Sequence, residues 1–168
     1  MITSRRATPD DLSLFREIRL QALQDSPDAF GATYASALAR DTASWQEQLE
    51  STVSGDTRNT QFAFDGSNCA GIAALYREPD APHGNLLMMW VPPAYRGTEA
   101  ASTLIDALIA WAKEIGLSSV YLNVTDANYR AIRFYERCGF SATGETVDVD
   151  SERNLRGIRM HHPLNTSS

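Results

Sequence analysis

The chain has 168 residues, of which 43% are hydrophobic, enough for one well-filled core and too few for a second. No apolar stretch approaches the roughly 18 to 20 residues of a membrane-spanning helix, and the first residues do not resemble a secretory leader. The formal net charge of -6 disfavours nucleic-acid binding, which needs a clustered basic surface. We therefore expect one cytoplasmic domain that binds neither membranes nor nucleic acid. An acidic surface would suit a cationic amine, although the same charge also serves solubility alone.

The chain contains two cysteines, Cys69 and Cys138. They are too few for a disulfide framework and lack the spacing of metal ligands. We expect two buried free thiols and no metal site.

The first half of the chain predicts a strand, two helical regions and three further strands. They are a strand at Ile2 to Arg6, a helix from Thr8 to about Gln24, a less regular helical region from Phe30 to Leu49 that is interrupted around Gly31 and near Asp41-Thr42, and strands at Gln61 to Asp65, Cys69 to Arg77 and Leu86 to Val91. The first helix carries an apolar stripe of Leu12, Phe15, Ile18, Arg19 and Leu23. The nearly continuous apolar run from Leu86 to Val91 predicts burial on both faces.

The second half alternates between helices and strands. It predicts a helix from Thr98 to Ile115 closed by Gly116, a strand at Ser119 to Val124, a helix at Ala127 to Cys138, and strands at Ala142 to Thr146 and Arg156 to His161. The order βααβββαβαββ indicates a single α/β domain over residues 1–164, with helices flanking a mixed, mostly antiparallel sheet. Residues 165–168 read as a polar C-terminal tail.

The segment from Met88 to Gly97 runs from a strand through a tight loop into the long helix. Unpaired N–H groups at such a helix start, helped by the helix dipole, accept a phosphate or pyrophosphate. A second segment begins with Asn128 and has Tyr135 two helical turns further on, so both side chains can face one cleft.

The two segments in this order resemble the GCN5-related N-acetyltransferases. That family's phosphate motif, Q/R-x-x-G-x-G/A, is similar to Arg96-Gly97-Thr98-Glu99-Ala100-Ala101. Its later motif, N-x-x-A-x-x-x-Y-x-x-x-G-F, matches without a break from Asn128 through Ala131, Tyr135, Gly139 and Phe140. The resemblance covers nearly the whole chain and implies acetyl transfer from acetyl-coenzyme A to an amine, with coenzyme A as product.

The resemblance also implies roles for particular residues. Met89, Trp90 and Val91 would contact the pantetheine arm, Asn128 would bind near the thioester, and Arg96, Gly97, Thr98, Glu99, Ala100, Ala101 and Ser102 would surround the pyrophosphate. Tyr135 would protonate the departing thiolate. Phe30, Tyr34 and Asn123 would border the acceptor, and a homodimer is expected by the same likeness.

Two positions depart from the family pattern. Glu99 replaces the central glycine of the phosphate motif, so its carboxylate either faces the pyrophosphate or points into solvent at the favourable end of the helix dipole. No glutamate stands where a general base is common, which leaves Asp126, His83, His161 and His162, or a water relay, or an amine that arrives neutral.

Two classes of function stay open. The first is an active N-acetyltransferase whose acceptor is a protein N-terminus, a lysine, a polyamine, an amino acid or an aminoglycoside-like antibiotic. The second is a non-catalytic module that binds coenzyme A to sense or regulate, motivated by Glu99 and the missing base. A purely structural protein is a remote third.

Overall fold

A computed structural model describes residues 1–164, and the predicted polar tail at 165–168 lies outside the described residues. The strands are β1 (Ile2–Arg6), β2 (Arg58–Asp65), β3 (Asn68–Tyr76), β4 (His83–Trp90), β5 (Ser119–Thr125), β6 (Ser141–Asp150) and β7 (Leu155–Pro163). The helices are α1 (Leu12–Asp25), α2 (Tyr34–Leu38), α3 (Thr42–Glu50), α4 (Ala100–Glu114) and α5 (Tyr129–Arg137). Within residues 1–164, none of these helices combines the length and the apolarity that crossing a bilayer would require.

The seven strands form one sheet in the order β1-β2-β3-β4-β5-β7-β6. All neighbouring pairs are antiparallel except β4 and β5, which confirms the predicted mixed, mostly antiparallel sheet. The parallel pairing joins only His83–Asn85 to Ser119–Tyr121. A gap therefore opens in the sheet between the later halves of β4 and β5.

Helices cover both faces of the sheet, as the class predicts. On one face, α4 and α5 bury a cluster that includes Leu104, Leu108 and Tyr135. On the other, Phe15 of α1 packs edge to face on Trp45 of α3 with ring centroids 5.8 Å apart. Successive strand residues serve opposite clusters because side chains alternate across a strand.

The helical regions of the N-terminal half agree with the prediction in one point and differ in another. The second region is divided into α2 and α3 at the predicted interruption, because Asp41 accepts a hydrogen bond from the Ser44 N–H at 2.8 Å and so caps a new helix. The first helix begins at Leu12 rather than Thr8. The carboxylate of Asp11 accepts the Thr8 N–H at 2.7 Å, which holds the preceding residues in a turn.

The structure supports the prediction that β4 is buried on both faces, since Leu86 belongs to the core cluster on the α4 face and Met88 and Trp90 belong to the cluster on the α1 face. Leu86, Met88 and Trp90 are at most 8% exposed, whereas Leu87 and Met89 between them are only half-buried.

The two cysteines are free, as expected, but neither is fully buried. Both are half-buried, and this desolvation raises the pKa of the Cys69 and Cys138 thiols. The prediction of two buried thiols was therefore too strong, while their neutral state at pH 7 is supported.

Candidate active site

A cleft of about 1450 Å³ occupies the gap between the diverging halves of β4 and β5. Its lining comes from β4 and β5, the loop before α4, the first turn of α4, and α5. At one end α1, α3 and β2 also contribute. The volume exceeds the roughly 300 to 1000 Å³ of common small-molecule pockets, so two ligands have room to meet.

A β-bulge distorts β4 where it borders this cleft. The pairing with β3 shifts register, since Ile72 lies opposite Trp90 but Ala74 lies opposite Leu87. Met88, inside the shift, has a φ of 58°, an uncommon conformation for a residue with a side chain. Such a bulge frees backbone groups from the ladder and turns them toward the neighbouring space. The sequence carried no signal for it, because methionine is not a residue that favours left-handed backbone.

The loop between β4 and α4 leads to a helix start with free N–H groups. The first hydrogen bond of the helix runs from the Thr103 N–H to the Glu99 carbonyl at 2.9 Å. The N–H groups of Ala101 and Ser102 therefore have no acceptor within residues 1–164, and both residues line the cleft. Such an open helix start can accept an anion, and the sequence predicts a phosphate or pyrophosphate there.

Gly97 provides the turn into that helix start. Its φ is 82°, in the left-handed region that favours glycine, and no atom lies within 4 Å of the place where a Cβ would stand. The open space leaves the backbone of the loop accessible from the cleft, which Gly97 and Thr98 both line.

Arg96 lines the cleft but is held by the protein. Its Nη2 lies 2.5 Å from the Asp25 carboxylate, and its Nε donates to the Val91 carbonyl at 3.1 Å. Asp25 also accepts from the Trp90 indole at 3.1 Å. The Ser26 hydroxyl and the Arg96 guanidinium hold the pKa of the Asp25 carboxyl below its usual range. Arg96 therefore fastens the loop to the end of α1, a contact that sequence reasoning missed.

Glu99 and Ala100 do not line the cleft, unlike the other predicted residues of this loop. Glu99 is exposed at the N-cap position of α4 and makes no capping hydrogen bond with its side chain. Ala100 is fully buried in the core beneath the helix. Of the two alternatives for Glu99, the structure therefore agrees with the one in which its carboxylate points into solvent.

Tyr135 lies on α5 with its ring in the core and one edge at the cleft. The residue is 8% exposed, and its ring packs edge to face on Phe140 with centroids 5.9 Å apart. Its hydroxyl has no hydrogen-bond partner within residues 1–164. Burial raises the pKa of Tyr135 well above its ordinary value, so the hydroxyl keeps its proton at neutral pH and can donate it.

Asn128 caps α5 and also lines the cleft. Its Oδ1 accepts a hydrogen bond from the Ala131 N–H at 3.3 Å. The side-chain oxygen is therefore engaged, and the amide NH₂ is the group that Asn128 can offer to a ligand.

Of the three residues expected around the acceptor, Phe30 and Asn123 line the cleft and Tyr34 does not. Tyr34 begins α2 and is half-buried against the core between α1 and α3. Phe30 carries the Arg19 guanidinium over its ring, with Cζ 4.8 Å from the centroid.

The candidate bases from the sequence do not line the cleft. His83 and His161 pack on either side of Tyr121, with ring centroids 5.3 and 5.7 Å away, and His162 packs against Phe140. Asp126 is exposed outside the cleft. Among residues 1–164, Asp148 of β6 is the one carboxylate that lines the cleft, and no sequence pattern singled it out.

Two arginines at the α1, α3 and β2 end of the cleft were also missed. Arg19 and Arg58 line it together with Gln48. A signal for Arg19 existed, since it is the one charged residue in the apolar stripe of α1. Arg58 had none, because the predicted strand began three residues later at Gln61.

The divided sheet, the bulged β4 and the open start of α4 define an α/β domain with a cleft large enough for a cofactor. The family model described as "Acetyltransferase (GNAT) family" matches residues 20–140. The chain therefore belongs to the GNAT acetyltransferase family, which confirms the resemblance.

One curated relative and two solved structures are similar to the chain. It is 28% identical over 138 residues to a mycothiol acetyltransferase of Propionibacterium freudenreichii, covering 82% of this chain and 42% of the relative. A GNAT acetyltransferase structure from Streptococcus pneumoniae matches with a TM-score of 0.81 and 21% identity, covering 98% of this chain and 100% of that one. A spermidine N-acetyltransferase from Vibrio cholerae, solved with CoA and spermine, matches with a TM-score of 0.76 and 17% identity, covering 96% of this chain and 95% of that one. The chain spans less than half the length of the curated relatives it matches.

Proposed function

We propose that the chain is an acetyl-coenzyme A-dependent N-acetyltransferase that acts on a primary amine. The observation that carries this is the meeting of three features in one cleft: the free N–H groups of Ala101 and Ser102, the bulged edge of β4, and the protonated hydroxyl of Tyr135. Family membership supports the same activity.

The residues present fit coenzyme A. The N–H groups at the start of α4 and the open backbone at Gly97 would hold the pyrophosphate, with Thr98 beside them. Arg130 and Arg137 of α5 line the cleft and add positive charge for the phosphates. Met89, Trp90, Val91 and the Asn128 amide would accompany the pantetheine arm.

Acetyl-coenzyme A, when bound, supplies an activated acetyl thioester. The protein would hold the acceptor amine in line with the thioester carbonyl and exclude competing water, with no covalent bond to the enzyme. Backbone N–H groups released by the bulge at Met88 would stabilise charge on the carbonyl oxygen. Tyr135 would donate its proton to the departing sulfur.

The amine must lose a proton during the reaction. We propose that Asp148 accepts it, directly or through a water molecule, since Asp148 is the one carboxylate along the cleft within residues 1–164. The alternative of a non-catalytic module rested on Glu99 and on the missing general base. The exposed position of Glu99 outside the cleft and the presence of Asp148 along the cleft support the enzyme over that module.

We further propose that the chain works in the cytoplasm, because half-buried free Cys69 and Cys138 suit a reducing compartment. Homodimer formation stays a prediction of the family resemblance, which sedimentation of the purified protein would test.

The test is a thiol-release assay with acetyl-coenzyme A and a panel of amines. We expect release that depends on the amine, and a rise in melting temperature with acetyl-coenzyme A as the ligand binds the native state. A cofactor-induced rise without release from any amine would contradict catalysis and favour a binding module. If millimolar acetyl-coenzyme A produced neither a rise in melting temperature nor thiol release, the cofactor assignment would be overturned.

A further inference from the structure

Arg19 and Arg58 contain polar atoms that are buried and have no partner. Arg19 comes from α1 and Arg58 from the first residue of β2, and both line the same end of the cleft. Nη1 of Arg19 and Nε of Arg58 are buried and have no hydrogen-bond acceptor within residues 1–164. Oε1 of Gln48 is also buried, and no donor reaches it within the same residues. Buried polar groups are normally satisfied, so these atoms point to a ligand.

No carboxylate within residues 1–164 neutralises either guanidinium. The ion pairs of the described chain use Arg5, Arg77, Arg96 and Arg153. Arg19 instead lies over the Phe30 ring, and the Arg58 Cζ lies 5.8 Å from the centroid of Tyr76. A cation in a partly desolvated cleft without a counter-ion is unfavourable, and a bound anion would relieve it.

The positive charges also act on one another. Burial, followed by the charges of Arg40 and Arg58, lowers the pKa of Arg19 to about 10, and burial likewise lowers the pKa of Arg58. Arg40 is engaged elsewhere, since it donates to the Ser44 hydroxyl at 2.9 Å and lies over Trp45. Both cleft arginines remain charged at neutral pH and repel a cationic acceptor.

We propose that Arg19 and Arg58 bind the carboxylate of an acceptor that carries both an amine and a carboxylate, as a free amino acid does. The inference rests on the proposed function and names its substrate class. A guanidinium and a carboxylate match in geometry, because two parallel N–H groups of the guanidinium can donate to the two oxygens of the carboxylate.

The position of the cluster favours a small acceptor. Gln48, in the same group, has its Nε2 4.0 Å from the sulfur of Met88, the residue at the bulge of β4. The carboxylate site therefore lies next to the part of β4 where the reaction is proposed. An acceptor whose amine and carboxylate are few bonds apart can reach both.

The experiment compares matched acceptors in the thiol-release assay. Each of the twenty common amino acids is paired with its amide, which keeps the amine and removes the charge, and spermidine is included. We expect kcat/KM for the preferred amino acid to exceed that of its amide by a factor on the order of 10 to 100. Equal or faster reaction of the amides or of spermidine would overturn the proposal and leave the acetyltransferase function standing.

Variants test the two arginines directly. Arg19→Met and Arg58→Met should remove the preference for the amino acid over its amide, mainly through KM, while Arg58→Lys should keep part of it. Arg16→Gln, an exposed position on the same helix, is the matched control and should change nothing. An unchanged preference in both methionine variants would contradict the assignment.

A second measurement does not depend on turnover. Sodium acetate, compared with sodium chloride at equal ionic strength, should raise the melting temperature of the parent protein more than that of Arg19→Met. Equal shifts in the two proteins would overturn the anion site even if no acceptor in the panel reacts. Loss of thiol release from every amine together with a retained acetate effect would instead contradict the proposed function alone.

Discussion

The carboxylate of Asp25, at the end of α1, accepts a hydrogen bond from the indole Nε1 of Trp90 in β4 at 3.1 Å. The same carboxylate pairs with Arg96, 71 residues away in the chain. One side chain thus connects α1, the bulged strand and the loop that leads to α4. It holds α1 against the backbone that is proposed to bind the cofactor.

The first prediction concerns the pH dependence of this contact. Because the folded-state pKa of Asp25 lies below its unfolded value, the ion pair stabilises the fold above about pH 4 and is lost as the pH falls through the folded-state pKa. Asp25→Asn should be less stable at pH 7 by under about 1 kcal/mol, since the pair is partly exposed. The difference in melting temperature between Asp25→Asn and the parent protein should become smaller toward pH 3. Asp28→Asn, an exposed neighbour, should show no such trend.

The second prediction concerns Glu99→Gly. We expect nearly unchanged affinity for acetyl-coenzyme A, because the side chain lies outside the cleft and the neighbouring N–H groups do the binding. Stability should fall by less than about 1 kcal/mol, since glycine is tolerated at an N-cap and only a favourable dipole contact is lost. Calorimetric titration at two salt concentrations measures both. Tighter binding by the variant that shrinks at high salt would instead place the carboxylate next to the pyrophosphate.

The third prediction concerns Tyr135→Phe. Phenylalanine keeps the packing against Phe140, so turnover should fall about ten- to a thousandfold with little change in cofactor affinity. Tyr129→Phe, at a 67% exposed position on the same helix, should behave as the parent. With the pKa of Tyr135 raised, the parent should lose no rate through its ionisation below about pH 10. Single-turnover rates measured as a function of pH test both expectations. If Tyr135→Phe left the rate of the chemical step unchanged, Tyr135 would have no role in the mechanism.

The fourth prediction uses two glycines with the same conformation. Gly97 and Gly55 both have a φ of 82° and open space where a Cβ would stand. Replacing either with alanine should cost about 1 to 2 kcal/mol in thermal unfolding, from backbone strain alone. Only Gly97→Ala should also weaken acetyl-coenzyme A binding, because only Gly97 lies in the cleft. If Gly97→Ala and Gly55→Ala bound acetyl-coenzyme A with equal affinity, Gly97 would have no role in cofactor binding.

The sequence by itself determined what depends on neighbouring residues. Periodicity located α4 and α5, Gly116 marked the end of α4 with its φ of 83°, and the spacing from Asn128 to Tyr135 brought both residues to one cleft. These features follow from the geometry of a helical turn and of its caps, which act within a few residues.

Tertiary structure alone decided the features that join distant parts of the chain. Three such features depend on strand register and on which helices cover the sheet. They are the ion pair of Asp25 with Arg96, the bulge at Met88, and the position of Arg19 and Arg58 along one cleft. The net charge of -6 suited a cationic acceptor or solubility alone, whereas Arg19 and Arg58 make one end of the cleft basic. Net charge sums over the whole surface, whereas a ligand responds to the few charges that folding brings within several ångströms of it.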